Sequence, residues 1–235
     1  MKKLLCGLAT LSMALSLVAC GGDTGTTGTT TDEPTTSTET GAVTGGTYVV
    51  QQSGEPATLN PDSVSEDNNY AIAQNIFGRL VKLTNDYTAI PDLADLPEVS
   101  EDALTYTFHL KEGVKWHDGE PFTSADVVYT YQTIIDNQYA HASVFVNVDT
   151  ITAPDDYTVV FNMKQPDGSF VSNLAWYGTF VLPKHILEGQ DWLTGDFAQN
   201  PVGTGPFKFD TWNKGTDIQI VRNDDYYGRS EERRV

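Results

Sequence analysis

The sequence predicts a mixed α/β protein, and three observations carry that prediction. Leu104, Tyr106, Phe108 and Leu110 alternate with Thr105, Thr107 and His109, the two-residue period of a strand with one buried face. Thr123-Ser124-Ala125-Asp126 is a capping box, and Val127, Tyr131 and Ile134 behind it fall at i, i+4 and i+7 of a helix. Two pairs of β-rich runs, 148–152 with 157–163 and 207–212 with 217–221, flank the turn sequences Pro154-Asp155-Asp156 and Asn213-Lys214-Gly215.

Taken in order, the chain opens on an export signal. Lys2 and Lys3 precede an apolar run over residues 4–18 that is too short to span a bilayer. Leu17-Val18-Ala19-Cys20 resembles the lipobox of bacterial lipoproteins, which implies signal cleavage after residue 19 and a diacylglyceride on Cys20. Residues 21–46 are rich in Gly, Thr, Asp and Glu and hold no aromatic residue, so they cannot bury enough surface to order themselves. As a flexible tether they would reach roughly 28 Å.

Thr47-Tyr48-Val49-Val50-Gln51 is β-branched and aromatic and predicts a strand, and a loop follows to Asn60-Pro61-Asp62. Ile72, Ile76, Leu80 and Leu83 predict a helix over residues 68–83. After the strand at 104–110, Lys111-Glu112-Gly113 and His117-Asp118-Gly119 predict turns. Beyond the capped helix and the first hairpin, residues 169–176 predict a short helix. Pro183 opens another, with proline near its first turn.

Composition narrows the function. The 235 residues carry 14 Lys and Arg against 32 Asp and Glu, a formal charge of −18, which argues against nucleic acid and against docking on anionic lipid through charge. With 11 Tyr, 10 Phe and 4 Trp, the chain can build a core. Its two cysteines, Cys6 and Cys20, lie in the leader, so no disulfide scaffold or cysteine-rich zinc site is expected. His109, His117, His141 and His185 show no HExxH spacing, and no metal or cofactor is expected. Gly203-Thr204-Gly205-Pro206 lacks the Gly-Lys-Ser/Thr ending of a phosphate loop, and its glycines read instead as permitting a tight backbone. No serine sits in a Gly-x-Ser-x-Gly elbow, so catalytic machinery is not expected.

Three segments carry a resemblance. The run from Leu104 through Lys115-Trp116-His117-Asp118-Gly119-Glu120-Pro121-Phe122, continued by Asp126-Val127-Val128-Tyr129, closely resembles the signature of the family 5 extracellular solute-binding proteins. These are the peptide, dipeptide and nickel receptors of ABC importers. Asn200-Pro201-Val202-Gly203-Thr204-Gly205-Pro206-Phe207, with Trp212 and Asn223-Asp224-Asp225-Tyr226-Tyr227-Gly228, resembles the second family block, and Leu59-Asn60-Pro61 a third.

The resemblance implies a periplasmic-binding-protein-like, two-lobed fold of class II type. Residues 47–62 and 168–235 would form the core of lobe I, with 63–167 as its inserted subdomain. It implies a monomeric, exported receptor, lipid-anchored to the outer face of the cell membrane or periplasmic. Such a receptor takes up peptides and delivers them to an ABC permease with its ATPase subunits. By the same resemblance the signature block is scaffold, with Phe108, Trp116, Phe122 and Val127 packed. Ligand contacts map to Ser63, Ser65, Trp176 and Tyr177, with Tyr139 and His141 beside them. Ser143 departs from the aromatic and basic pattern of nickel-type members. Family members are much longer, so this chain reads as an N-terminal fragment whose charged end, residues 229–235, lacks family character. A secreted lipoprotein hydrolase would need a matched nucleophile and base. A sensory or chaperone relative would share the fold without a permease.

Overall fold

The computed structural model describes residues 45–176 and 179–228. Residues 45–49 belong to one unit and run exposed, without helix or strand. The elements and the site belong to the second unit, which begins at Val50.

Its elements run α1 (Asp67–Ile76), β1 (Val81–Leu83), β2 (Ala89–Pro91), β3 (Glu98–Val99), β4 (Thr105–His109), α2 (Ser124–Asn137), β5 (Val148–Asp155), β6 (Thr158–Met163), α3 (Phe170–Leu174), α4 (Lys184–Leu187), β7 (Phe207–Asn213) and β8 (Asp217–Arg222). Every strand pair is antiparallel: β1 with β2, a four-stranded sheet in the order β3-β4-β6-β5, and β7 with β8.

The four-stranded sheet follows from side-chain alternation. Tyr106 and Phe108 on β4 are buried and sit opposite Phe161 and Val159 of β6. Phe108 and Phe161 meet edge to face, ring centroids 5.5 Å apart. Helix α2 lays Val127, Tyr131 and Ile134, all fully buried, into the core, where Tyr131 packs on Phe145 and Phe161. Its N-terminus carries the expected capping box, with the Thr123 amide donating to Asp126 Oδ2 at 3.0 Å. The hairpin of β5 and β6 forms as expected, with a register shift between Thr152 and Asp155, where Pro154 cannot donate to the ladder.

Asp126 does more than cap. It also accepts from Trp116 Nε1 at 3.3 Å and from the Lys184 amide at 2.9 Å, so one carboxylate joins the signature block to the starts of α2 and α4. Burial raises its pKa, partly offset by the Thr123 and Lys184 amides. Phe108, Trp116, Phe122 and Val127 are all buried.

Two expectations fail. Residues 47–51 form no strand: Tyr48, Val49 and Val50 are 90%, 84% and 68% exposed, because β propensity yields a strand only where a ladder accepts it. The helix over 68–83 stops at Ile76. The Ile76 carbonyl accepts from the Gly205 amide at 2.8 Å, and a Cβ at Gly78 would meet Leu93 Cγ and Thr204 Oγ1 at 2.8 Å. The chain leaves the helix there, and Leu80 and Val81 are buried on an extended segment leading through β1.

The loop at 203–205 packs against this helix end. A Cβ at Gly203 would lie 1.9 Å from the Ile76 carbonyl oxygen, and one at Gly205 would lie 2.6 Å from that of Asn75. The tight backbone read from the sequence is therefore a close approach of one main chain to another. His117 holds the same loop. Its Nδ1 accepts from the Gly203 amide at 3.2 Å, its Nε2 lies 3.0 Å from the Gly205 carbonyl, and its own amide donates to the Gly203 carbonyl at 2.8 Å.

Candidate functional site

Asn60 organises the segment that leads into α1. Its amide side chain donates to the Trp192 carbonyl at 3.1 Å, and its Oδ1 accepts from the Asp62 amide at 3.2 Å. Its carbonyl accepts from Ser63 Oγ and from Asn69 Nδ2, each at 3.0 Å. This network explains why Asn-Pro opens the segment: a polar side chain satisfies a buried turn from within. Ser63 is consequently buried, its hydroxyl engaged, whereas Ser65 is exposed. Asp62 is fully buried, and that burial pushes its carboxyl well above the usual range, while the Phe180 amide and the Arg79 guanidinium pull the other way.

A second segment follows α2, whose C-terminal cap Gln138 is a left-handed residue at φ 53°. Tyr139 then turns onto Trp192, stacked at 5.2 Å between centroids and 14° between planes. His141 follows, itself left-handed at φ 67°. Its Nε2 lies 2.6 Å from the Tyr70 hydroxyl, which is also 3.3 Å from the Val64 carbonyl. Through Tyr70 the His141 turn is thus tied to the segment holding Ser63 and Ser65. Burial pushes the His141 pKa down, so the imidazole favours its neutral form.

Trp176 completes the arrangement after α3. His141, Ser143, Val144, Asn173 and Trp176 line one concavity of about 190 Å³. Trp176 is 46% exposed and stacks on Tyr87, in the turn between β1 and β2, at 6.0 Å and 12°. The lining offers a neutral imidazole, a hydroxyl, a carboxamide and an indole, without a formal charge. Such a surface suits a neutral polar backbone with varied side chains.

The structure thus brings His141 and Trp176 together, with Ser65 on the loop that Tyr70 links to them. Tyr139 packs instead on Trp192, and Ser63 is engaged within its own turn. Tyr177 and Cys20 lie outside the described residues. Val144, Asn173 and Tyr87 were not legible in the sequence, since no motif marks them and only the fold sets them beside Trp176.

A second concavity, of about 310 Å³, is lined in part by Arg79, Lys82, Asp92, Tyr226 and Tyr227. Asp92 is engaged there, accepting from the Arg79 amide at 3.0 Å and from the Tyr227 hydroxyl at 2.9 Å, with Lys82 Nζ at 3.5 Å. His185 pairs with Asp118 at 2.9 Å but lines neither concavity.

This fold is shared with known proteins. The family model described as bacterial extracellular solute-binding proteins, family 5, matches residues 88–233. The oligopeptide-binding protein AppA of Bacillus subtilis (strain 168) is 34% identical over 189 residues, covering 78% of this chain and 35% of that protein. The structure of that AppA in complex with a nonapeptide superposes with a TM-score of 0.69 at 33% identity, over 74% of this chain and 36% of the other. The structure of NikZ from Campylobacter jejuni in complex with Ni(L-His) gives 0.68 at 31% identity, over 74% and 35%. The chain spans about a third of the length of the curated relatives it matches.

Proposed function

This chain belongs to the bacterial extracellular solute-binding proteins of family 5, and we propose that it is a peptide receptor of an ABC importer. It captures oligopeptides or dipeptides outside the cytoplasmic membrane and hands them to a permease driven by ATPase subunits. Cys20 carries a lipid that holds the receptor at the membrane, and residues 21–46 are its tether. It binds its ligand without transforming it.

One observation carries this reading: the uncharged concavity of His141, Ser143, Asn173 and Trp176, in a chain similar to a protein solved with a nonapeptide. Peptide amides need donors and acceptors without fixed charge, and variable side chains are best held by broad apolar faces such as indole. The described residues supply one wall of a cleft. In a two-walled receptor with micromolar affinity, about −8.2 kcal/mol, a wall supplying half of that energy alone holds its ligand at roughly millimolar strength.

Calorimetry with a pool of short peptides tests the proposal. The protein expressed from its complete reading frame binds the pool at micromolar concentration, Trp176→Ala weakens that binding, and residues 45–235 alone show none. Micromolar binding by the short piece would overturn the two-walled account, and its absence from the full protein would overturn peptide capture.

A further inference from the structure

Tyr70 joins two of the segments around the concavity, and the direction of one proton decides what it does there. Its hydroxyl oxygen lies 2.6 Å from His141 Nε2 and 3.3 Å from the Val64 carbonyl. A hydroxyl donor reaches about 2.5–3.0 Å, whereas a ring N–H donor stays about 2.7–3.2 Å from its oxygen. The short contact is therefore the Tyr70 hydroxyl donating to Nε2, and the Val64 carbonyl stands beyond a hydroxyl's usual reach. Ser65 supports the same direction. Burial raises the Tyr70 pKa, and the Ser65 hydroxyl opposes that rise, as a donor to the phenol oxygen does. Tyr70 thus accepts from Ser65 and gives its single proton to His141.

The neutral imidazole that burial favours has one N–H, so with Nε2 accepting, the hydrogen sits on Nδ1. Among the described residues no hydrogen bond engages Nδ1, and the atom is not sealed from solvent. His141 lines the concavity with Ser143, Asn173 and Trp176. Ser143 and Asn173 can each donate or accept there, whereas an Nδ1–H can only donate. Resting on the peptide-receptor reading above, we propose that Tyr70 is a positioning residue: its hydroxyl locks the His141 imidazole in the Nδ1–H form, and that N–H donates to a main-chain carbonyl oxygen of the bound peptide. The concavity carries no formal charge, so a carboxylate would lose its hydration there without a cation to replace it. A carbonyl needs only a neutral donor. A ring free to choose its tautomer would have to settle it on binding, and the Tyr70 hydroxyl removes that cost beforehand.

The first readout needs no ligand. In the full-length protein, imidazole nitrogen shifts of isotope-labelled histidine, assigned through His141→Asn, should show the hydrogen on Nδ1 in wild type and on either nitrogen in Tyr70→Phe. A library of random tetrapeptides supplies the binding probe, and its tightest member is resynthesised with each amide carbonyl oxygen replaced in turn by sulfur, a weaker acceptor. One analogue should bind wild type about three- to ten-fold more weakly than the rest, and that difference should vanish in His141→Gly, which tolerates the left-handed backbone. Tyr70→Phe should weaken the parent peptide by a similar factor. In a His141→Asn background the same change should do nothing further, since the asparagine N–H needs no tautomer. Hydrogen on Nε2 in wild type, or equal loss from Tyr70→Phe in both backgrounds, overturns the positioning role. A sulfur penalty that survives in His141→Gly, or that no position shows, overturns the carbonyl contact. If the hydrogen is on Nδ1 and no tetrapeptide binds wild type, the peptide-receptor reading fails, and the carbonyl contact fails with it.

Discussion

Acidification should loosen the loop at 203–205 through one imidazole. Burial is the largest influence on His117, with Lys208 adding to it, and together they push its pKa from the ordinary 6.5 to about 4. The geometry requires the neutral ring, because Nδ1 accepts the Gly203 amide while Nε2 faces the Gly205 carbonyl and carries the hydrogen. A proton on Nδ1 would set two donors against each other. Between pH 6.5 and about 4 the unfolded chain binds this proton and the folded chain does not. The His117 contribution is therefore whole above pH 6.5 and declines as pH falls toward 4. The gap corresponds to about 3 kcal/mol, or a melting difference of about 5–10 °C for a domain of this size.

Asp62 and Asp126 respond in the opposite sense, since burial raises both carboxyls and acid favours their folded form. A raw pH profile blends these three groups with His141, which burial also pushes down, and with carboxylates such as Asp167 and Asp191 that hydrogen bonds hold low. His117→Asn separates them by keeping an acceptor and removing the titration. Thermal unfolding followed by circular dichroism at pH 7 and pH 4 should show the advantage of wild type over His117→Asn shrinking by about 5–10 °C in acid. An advantage that does not change with pH would refute the requirement for a neutral ring.

Further outcomes follow from packing and from the leader. Trp116 is 2% exposed and donates to Asp126, so Trp116→Ala should cost about 3–5 kcal/mol in chemical denaturation; an unchanged midpoint with lost ligand binding would make it a contact residue instead. Gly203→Ala places a methyl 1.9 Å from the Ile76 carbonyl oxygen and should leave the protein insoluble. Gly168→Ala, where a Cβ meets nothing within 4 Å, should be tolerated, and equal behaviour of the two would contradict the close approach. Cys20→Ala should release the protein from membranes or leave an unprocessed precursor on cell fractionation, and normal processing with retained membrane association would contradict lipidation.

The parts of this fold legible in the sequence are those whose signals are local. Helix α2 carries its cap at Thr123 and Asp126 and its apolar stripe within one stretch, and β4 and β6 each show their own alternation. What escaped depends on distant partners. Ile72, Ile76, Leu80 and Leu83 keep helical spacing, yet the helix ends where a loop some 130 residues later claims the Ile76 carbonyl. Tyr48, Val49 and Val50 have strand chemistry but enter no ladder among the described residues. β3 is only two residues long and has no pattern of its own. For the site, His141 and Trp176 were reached through family resemblance. Tyr87 and Asn173 were invisible, because nothing local places a turn tyrosine against a tryptophan 89 positions away.

Hydrogen–deuterium exchange on the full-length protein, with and without a pool of short peptides, maps where ligand is felt without assuming a contact. If peptide binds at the concavity, exchange slows in residues 63–70, 139–145 and 170–176 and does not change in β4 and β6. Protection confined to the segments around Asp92 and Tyr227, or absent from all of these, would contradict binding there.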